Sequence, residues 1–190
     1  MPTEVKVVYF DNAGKENTEA VLRIVKQRAQ ELGIKNVVVA STRGETAIRA
    51  VDVLKGLRVI IVRHVMGSRE PNVQLLTEEN RQIIESGGGV IVTAAHAFAG
   101  LSRALNNKYK MPGEGIIIAD TLRTFGQGMK VACEIALMAA DAGQVRTDED
   151  IITVSGSSGG ADTALVLTPT NSHTFFNLKV KEILCKPRQF

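Results

Sequence analysis

Short β-branched runs alternate along the chain with longer segments in which apolar residues return every three or four positions. Val5 to Phe10 reads as a strand ended by the turn residues Asp11 to Gly14. Val21, Ile24, Val25, Ala29 and Leu32 then mark one buried helical stripe, capped by Asn17 or Thr18 and stopped by Gly33. Val37 to Ala40 and Val59 to Val62 are apolar without alternation, as strands covered on both faces must be. The helix marked by Ala47, Ala50, Val51 and Leu54 lies between them, completing a βαβ unit with a right-handed connection. Glu78 to Ser86 and Leu101 to Asn107 read as helices, and Val90 to Thr93 and Ile116 to Ala119 as strands. Gly128 to Ala142 is the most apolar helix and should be deeply buried. Ile151 to Val154 and Ala164 to Leu167 are strands around a Gly-Ser loop. Phe176, Leu178 and Val180 alternate with polar residues, predicting a half-solvated edge strand. The pattern predicts one α/β domain over residues 1–190, a three-layer α/β/α sandwich whose mainly parallel sheet ends in an antiparallel C-terminal edge.

Composition agrees with this and narrows the function classes. The 190 residues are 44% hydrophobic and 23% charged, which excludes a disordered chain, and the longest apolar runs are too short to predict a membrane span. A net charge of +3, scattered basic residues and eight aromatics predict neither a nucleic-acid nor a membrane partner, while a homo-oligomer is left open. Two cysteines without a CxxC motif, and no predicted signal peptide, suggest a reduced, cytoplasmic protein with no structural metal site.

Ligands of open α/β sheets bind beyond the carboxyl ends of the strands, which selects four segments. Ser41, Thr42, Gly44, Glu45 and Thr46 join a strand to a helix start, where free amides, hydroxyls and a glycine suit a phosphate and Arg43 adds charge. The competing reading is an empty surface turn with Thr46 as N-cap. Ser155, Gly156 and Gly159 belong to the second segment, Ser155 to Asp162, whose three glycines permit close backbone approach or a flexible turn. The third holds Arg123, Thr124, Phe125, Gly126, Gly128 and Lys130 at the start of the apolar helix. The fourth, Thr93 to Gly100, carries Thr93 and His96, and His64 follows another strand. A histidine here could bind a ligand, shuttle a proton or be structural. The sequence lacks HExxH and a complete GxGxxG, and no catalytic residue and no metal ligand are assigned.

Several of these segments resemble a known family. Val37 to Val62, with Ser-Thr-Arg-Gly-Glu-Thr-Ala at its centre, is similar to the carboxy-terminal domain of pyruvate kinase, where the corresponding loop holds a phosphate. Asp148 to Gly156, the Gly-rich loop, Asp162-Thr163 and Leu165 to Leu167 resemble that domain's last hairpin. Glu16 to Ala20, Thr124 to Lys130 and Gly159 to Leu165 look still more like a family of stand-alone archaeal relatives of unassigned activity. That resemblance implies flavin mononucleotide (FMN) as cofactor, for which an oxidoreductase role is one expectation; the alternative, taken from the effector role of the pyruvate kinase domain, is a non-catalytic sensor of a phosphorylated metabolite. Ser157-Ser158 stands where pyruvate kinase carries bulky and charged groups, which favours a ligand with one phosphate. The extra segment from Ala94 to Thr124 is expected to provide a wall for a flat ring.

Overall fold

The computed structural model describes residues 2–157 and 159–190, so Ser158 lies outside the described residues. Its strands are β1 (Val8–Asn12), β2 (Asn36–Ala40), β3 (Arg58–Arg63), β4 (Val90–Thr93), β5 (Ile151–Ser155), β6 (Thr163–Thr168) and β7 (Lys179–Gln189). The helices are α1 (Thr18–Leu32), α2 (Glu45–Val53), α3 (Glu78–Ser86), α4 (Gly100–Tyr109), α5 (Glu114–Arg123) and α6 (Gln127–Asp141). The strands form one sheet in the order β1-β7-β6-β5-β2-β3-β4, in which β6 alone runs against its neighbours. Mainly parallel pairing with an antiparallel C-terminal portion is the architecture expected from the pattern.

Two apolar layers explain why the central strands show no alternation. Val37, Val39, Val59 and Ile61 face Val21, Leu22, Val25, Ala47, Ala50 and Ile84 of α1, α2 and α3. Val38, Ile60 and Val62 face the other way, onto Met129, Ala132, Cys133 and Ala136 of α6. Both strand faces are therefore removed from water, and every position is apolar. Gly33 ends α1 at φ 68°, with the Ile34 amide reaching back to the Ala29 carbonyl; this left-handed closure is cheap only for glycine.

Two expectations are corrected. Ile116 to Ala119 is not a strand but the middle of α5. Ile116, Ala119 and Arg123 line one helical face against α4 and α6, while Ile117 is 58% exposed. A run of three isoleucines carries no periodicity, and packing on α6 decides in favour of the helix. Phe176 lies in a 3-10 segment before β7 and is 89% exposed, and β7 itself is flanked by β6 and β1, leaving β1 at the edge.

Candidate functional site

Because β5, β2, β3 and β4 run in parallel, their carboxyl ends deliver the first, second and fourth segments, and His64, to one edge of the sheet. The β5–β6 loop and the β2–α2 loop leave side by side, since Val39 pairs with Val154. The start of α6 is tied to the same edge by a hydrogen bond from Ser155 Oγ to the Gly128 carbonyl (2.7 Å).

The first loop is built more tightly than an empty surface turn. Gly44, at φ 111°, is the N-cap of α2, and Thr46 lies inside the helix, 7% exposed. Thr46 is thus not the cap. Ser41 Oγ instead accepts from the Ala47 amide (3.3 Å), while among the described residues the amides of Glu45 and Thr46 have no acceptor. Two donors at the positive end of a helix are left unpartnered, beside the exposed Arg43. The reason for Gly44 differs from the expected one. A Cβ there would lie 2.7 Å from Asn80 Cβ and 2.8 Å from Leu76 Cδ1, and Asn80 Nδ2 donates to the Arg43 carbonyl (2.7 Å). Gly44 makes room for α3 and is buried rather than part of an open turn.

Much of the Gly-rich loop is likewise held by its neighbours. A Cβ on Gly160 would approach Thr18 Oγ1 to 2.6 Å, and that hydroxyl accepts from the Ala161 amide (3.0 Å). A Cβ on Gly156 would meet the Gly160 carbonyl. Asp162, fully buried, accepts from Thr163 Oγ1 (2.7 Å) and the Ser157 amide (3.0 Å). Gly159, at φ 104°, faces open space, and Ser157 Oγ is buried with no partner among the described residues.

Of the remaining predicted residues, Thr93 shares the face of Ile91, on the α3 side, and residues 123–130 lie at the start of α6. Thr93 Oγ1 accepts from Arg63 Nε (2.6 Å), and Arg123 Nε donates to Gln127 Oε1 (2.8 Å) while its guanidinium pairs with Asp120. Thr124 Oγ1 donates to the Thr121 carbonyl (2.7 Å), and Phe125 is 56% exposed. Gly126 caps α6 at φ 123°, and Gly128 sits where a Cβ would come within 2.6 Å of Thr163 Cβ.

Lys130 belongs to a buried cluster that sequence reasoning only half found. Its ammonium donates to Glu134, one turn along α6, and lies 5.7 Å from the centre of the Phe98 ring. Glu134, 3% exposed, also accepts from the Phe98 amide (3.1 Å) and has His96 Nδ1 at 3.7 Å. Burial, the largest single influence, pushes the Glu134 carboxyl upward. His96, Lys130 and the Phe98 amide together outweigh it and hold the group at about 2. The His64 and His96 rings lie 4.9 Å apart, and His64 is held below the ordinary histidine range by burial first and by His96 second. Glu134 went unrecognised in an apolar helix. The signal was its i,i+4 spacing from Lys130, two charges with no solvated face to occupy.

Hollows among the described residues lie both beside the site and away from it. One of about 50 Å³ lies between α4, α5 and α6, lined by Phe98, Arg103, Ile116, Arg123 and Lys130 among others. A larger cleft of about 310 Å³ lies between α1, β7 and the N-terminal segment, away from the loops, where Arg28 and Glu182 already satisfy each other (2.6 and 2.8 Å). Among the described residues no helix is long and apolar enough to cross a membrane. Residues 19–167 match the family described as pyruvate kinase, alpha/beta domain.

Proposed function

Since the chain belongs to the pyruvate kinase alpha/beta domain family, we propose that it binds a phosphorylated small molecule, flavin mononucleotide foremost, at the carboxyl edge of its sheet. The observation that carries this reading is the pair of unpartnered amides of Glu45 and Thr46 at the start of α2, with Thr46 Oγ1 and Arg43 beside them. A phosphate monoester there receives backbone donors, a hydroxyl and a cation without displacing any protein hydrogen bond. The phosphate end of FMN fits these residues. Its ring does not fit the hollow between α4, α5 and α6, because about 50 Å³ holds a few atoms rather than three fused rings. A flavin here would lie along the open edge past His64 and His96, toward the exposed Phe125. When bound, FMN supplies the electron-transfer chemistry of an oxidoreductase. The residues that would hold it are Arg43, Glu45 and Thr46 at the phosphate end, with His64 and His96 on the same edge.

The test is the absorbance spectrum of the purified full chain, followed by quenching of FMN fluorescence. A yellow preparation, or micromolar quenching that weakens at least tenfold in Arg43→Glu, supports the reading. A colourless protein that leaves micromolar FMN unquenched overturns it. The small volume of the hollow beside α6 favours a second reading, a non-catalytic sensor of a smaller phosphate ester. A panel of sugar phosphates in a thermal-shift assay separates the two, since a ligand at 100 times its Kd adds about 2.7 kcal/mol of stability.

A further inference from the structure

The hollow between α4, α5 and α6 has a chemistry of its own. Arg103 and Arg123 sit at its rim and Lys130 lies in its wall, while Phe98, Ile116 and Ala119 make the rest of its lining apolar. Of the three cations, Arg123 is paired with Asp120 and Lys130 with Glu134, whereas Arg103 has no acidic partner among the described residues. The lining therefore carries one positive charge in excess, and the first turn of α6, which begins beside it at Gln127, adds the positive end of a helix dipole. Lys130, only 7% exposed, cannot swing out to water in place of a ligand.

Size and charge restrict what this hollow accepts. A buried water needs at least about 10 to 15 Å³ of such space, so a volume of about 50 Å³ corresponds to roughly three to five heavy atoms. One excess positive charge matches a monoanion better than a phosphate dianion. The apolar part of the wall, made by Phe98, Ile116 and Ala119, suits a short hydrocarbon tail behind that charge. We propose that the hollow is a binding subsite for a small aliphatic monocarboxylate, whose carboxylate meets the guanidinium groups of Arg103 and Arg123 and whose tail lies against Phe98, Ile116 and Ala119. Arg103 supplies the decisive charge. This assignment goes beyond the phosphate reading, because none of the α2 loop residues takes part in it.

The experiment is an amide-resolved NMR titration of the full chain with propionate, propionamide and inorganic phosphate. A ligand of about five heavy atoms is expected to bind in the millimolar range. Propionate should give saturable shifts at Phe98, Ala119, Arg123 and Lys130, with propionamide at least tenfold weaker. Arg103→Gln should weaken propionate about tenfold, Arg103→Lys less, and neither should change FMN affinity. Because α4 buries no side chain, the Arg103 variants should fold like the parent. The proposal is overturned if propionamide binds as tightly as propionate, if phosphate occupies the hollow in preference, if Arg103→Gln retains parental affinity, or if no shift saturates by about 50 mM.

Discussion

Replacing Glu134 by Gln is a quantitative test of the buried cluster. Glutamine keeps the volume and leaves a carbonyl to accept from the Phe98 amide, but the Lys130 ammonium, 7% exposed, then faces a neutral partner. Removing one member of a buried ion pair costs about 3 to 5 kcal/mol. At roughly 2 to 4 °C per kcal/mol for a chain of this size, Tm should fall by about 6 to 20 °C. The pH dependence supplies an independent check. The carboxyl is held at about 2 in the folded protein against 4.5 as its ordinary value, so it stabilises the fold above about 4.5, and that contribution disappears as the pH falls toward 2. On the order of 3 kcal/mol should be lost from this group alone across that window. Urea melts from pH 7 to pH 2, followed by circular dichroism, should show the parent losing its advantage over Glu134→Gln in this range. Lys130→Met added to Glu134→Gln should recover more than half of the loss at pH 7, because the stranded charge is then gone. A Glu134→Gln variant within about 1 kcal/mol of the parent at pH 7, or acid curves that run parallel, would refute the reasoning.

Gly44→Ala should destabilise the fold by about 2 to 4 kcal/mol, from left-handed backbone strain plus overpacking against Asn80 and Leu76, and a loss under about 0.5 kcal/mol in urea denaturation would contradict the packing described. Burial pushes the thiols of Cys133 and Cys185 up to about 12. Neither should react with a disulfide reagent at pH 8 in the native protein, and both should do so in denaturant; prompt labelling of either native thiol would contradict their burial.

The parts of the fold legible in sequence are those where local pattern and tertiary packing agree. Strands β2 to β5 and helices α1, α3 and α6 read correctly because their local apolar pattern agrees with the core they face, and glycine ends α1 in the left-handed conformation the pattern requires. Ile116 to Ile118 misled because propensity there points to a strand, while the decision belongs to α6, distant information that three residues do not contain. The segment after Phe176 misled through an alternation of apolar and polar residues that begins before the strand does. At the candidate site, the free amides at the start of α2 were legible because helix starts leave amides unpaired whatever surrounds them. Its glycine was misread, since Asn80, which fills the space above Gly44, comes from another helix. Glu134 stayed hidden because burial of a carboxylate depends on partners from two elements, the α6 lysine and the segment holding His96 and Phe98.

The antiparallel placement of β6 has a consequence for the order in which the sheet assembles. The β5–β6 pair joins strands separated by a seven-residue connection, so its closure entropy is small, and it can form before any crossover is made. The β1–β7 pair brings Val8 against Cys185, almost the whole chain apart, and gains nothing until β7 has been laid along β6. Assembly is therefore expected to spread outward from the β5–β6 hairpin, with β1 arriving last. The first and second loops come from the two strands nearest that starting point, β2 and β5, so these loops would be in place while the far edge of the sheet is still open.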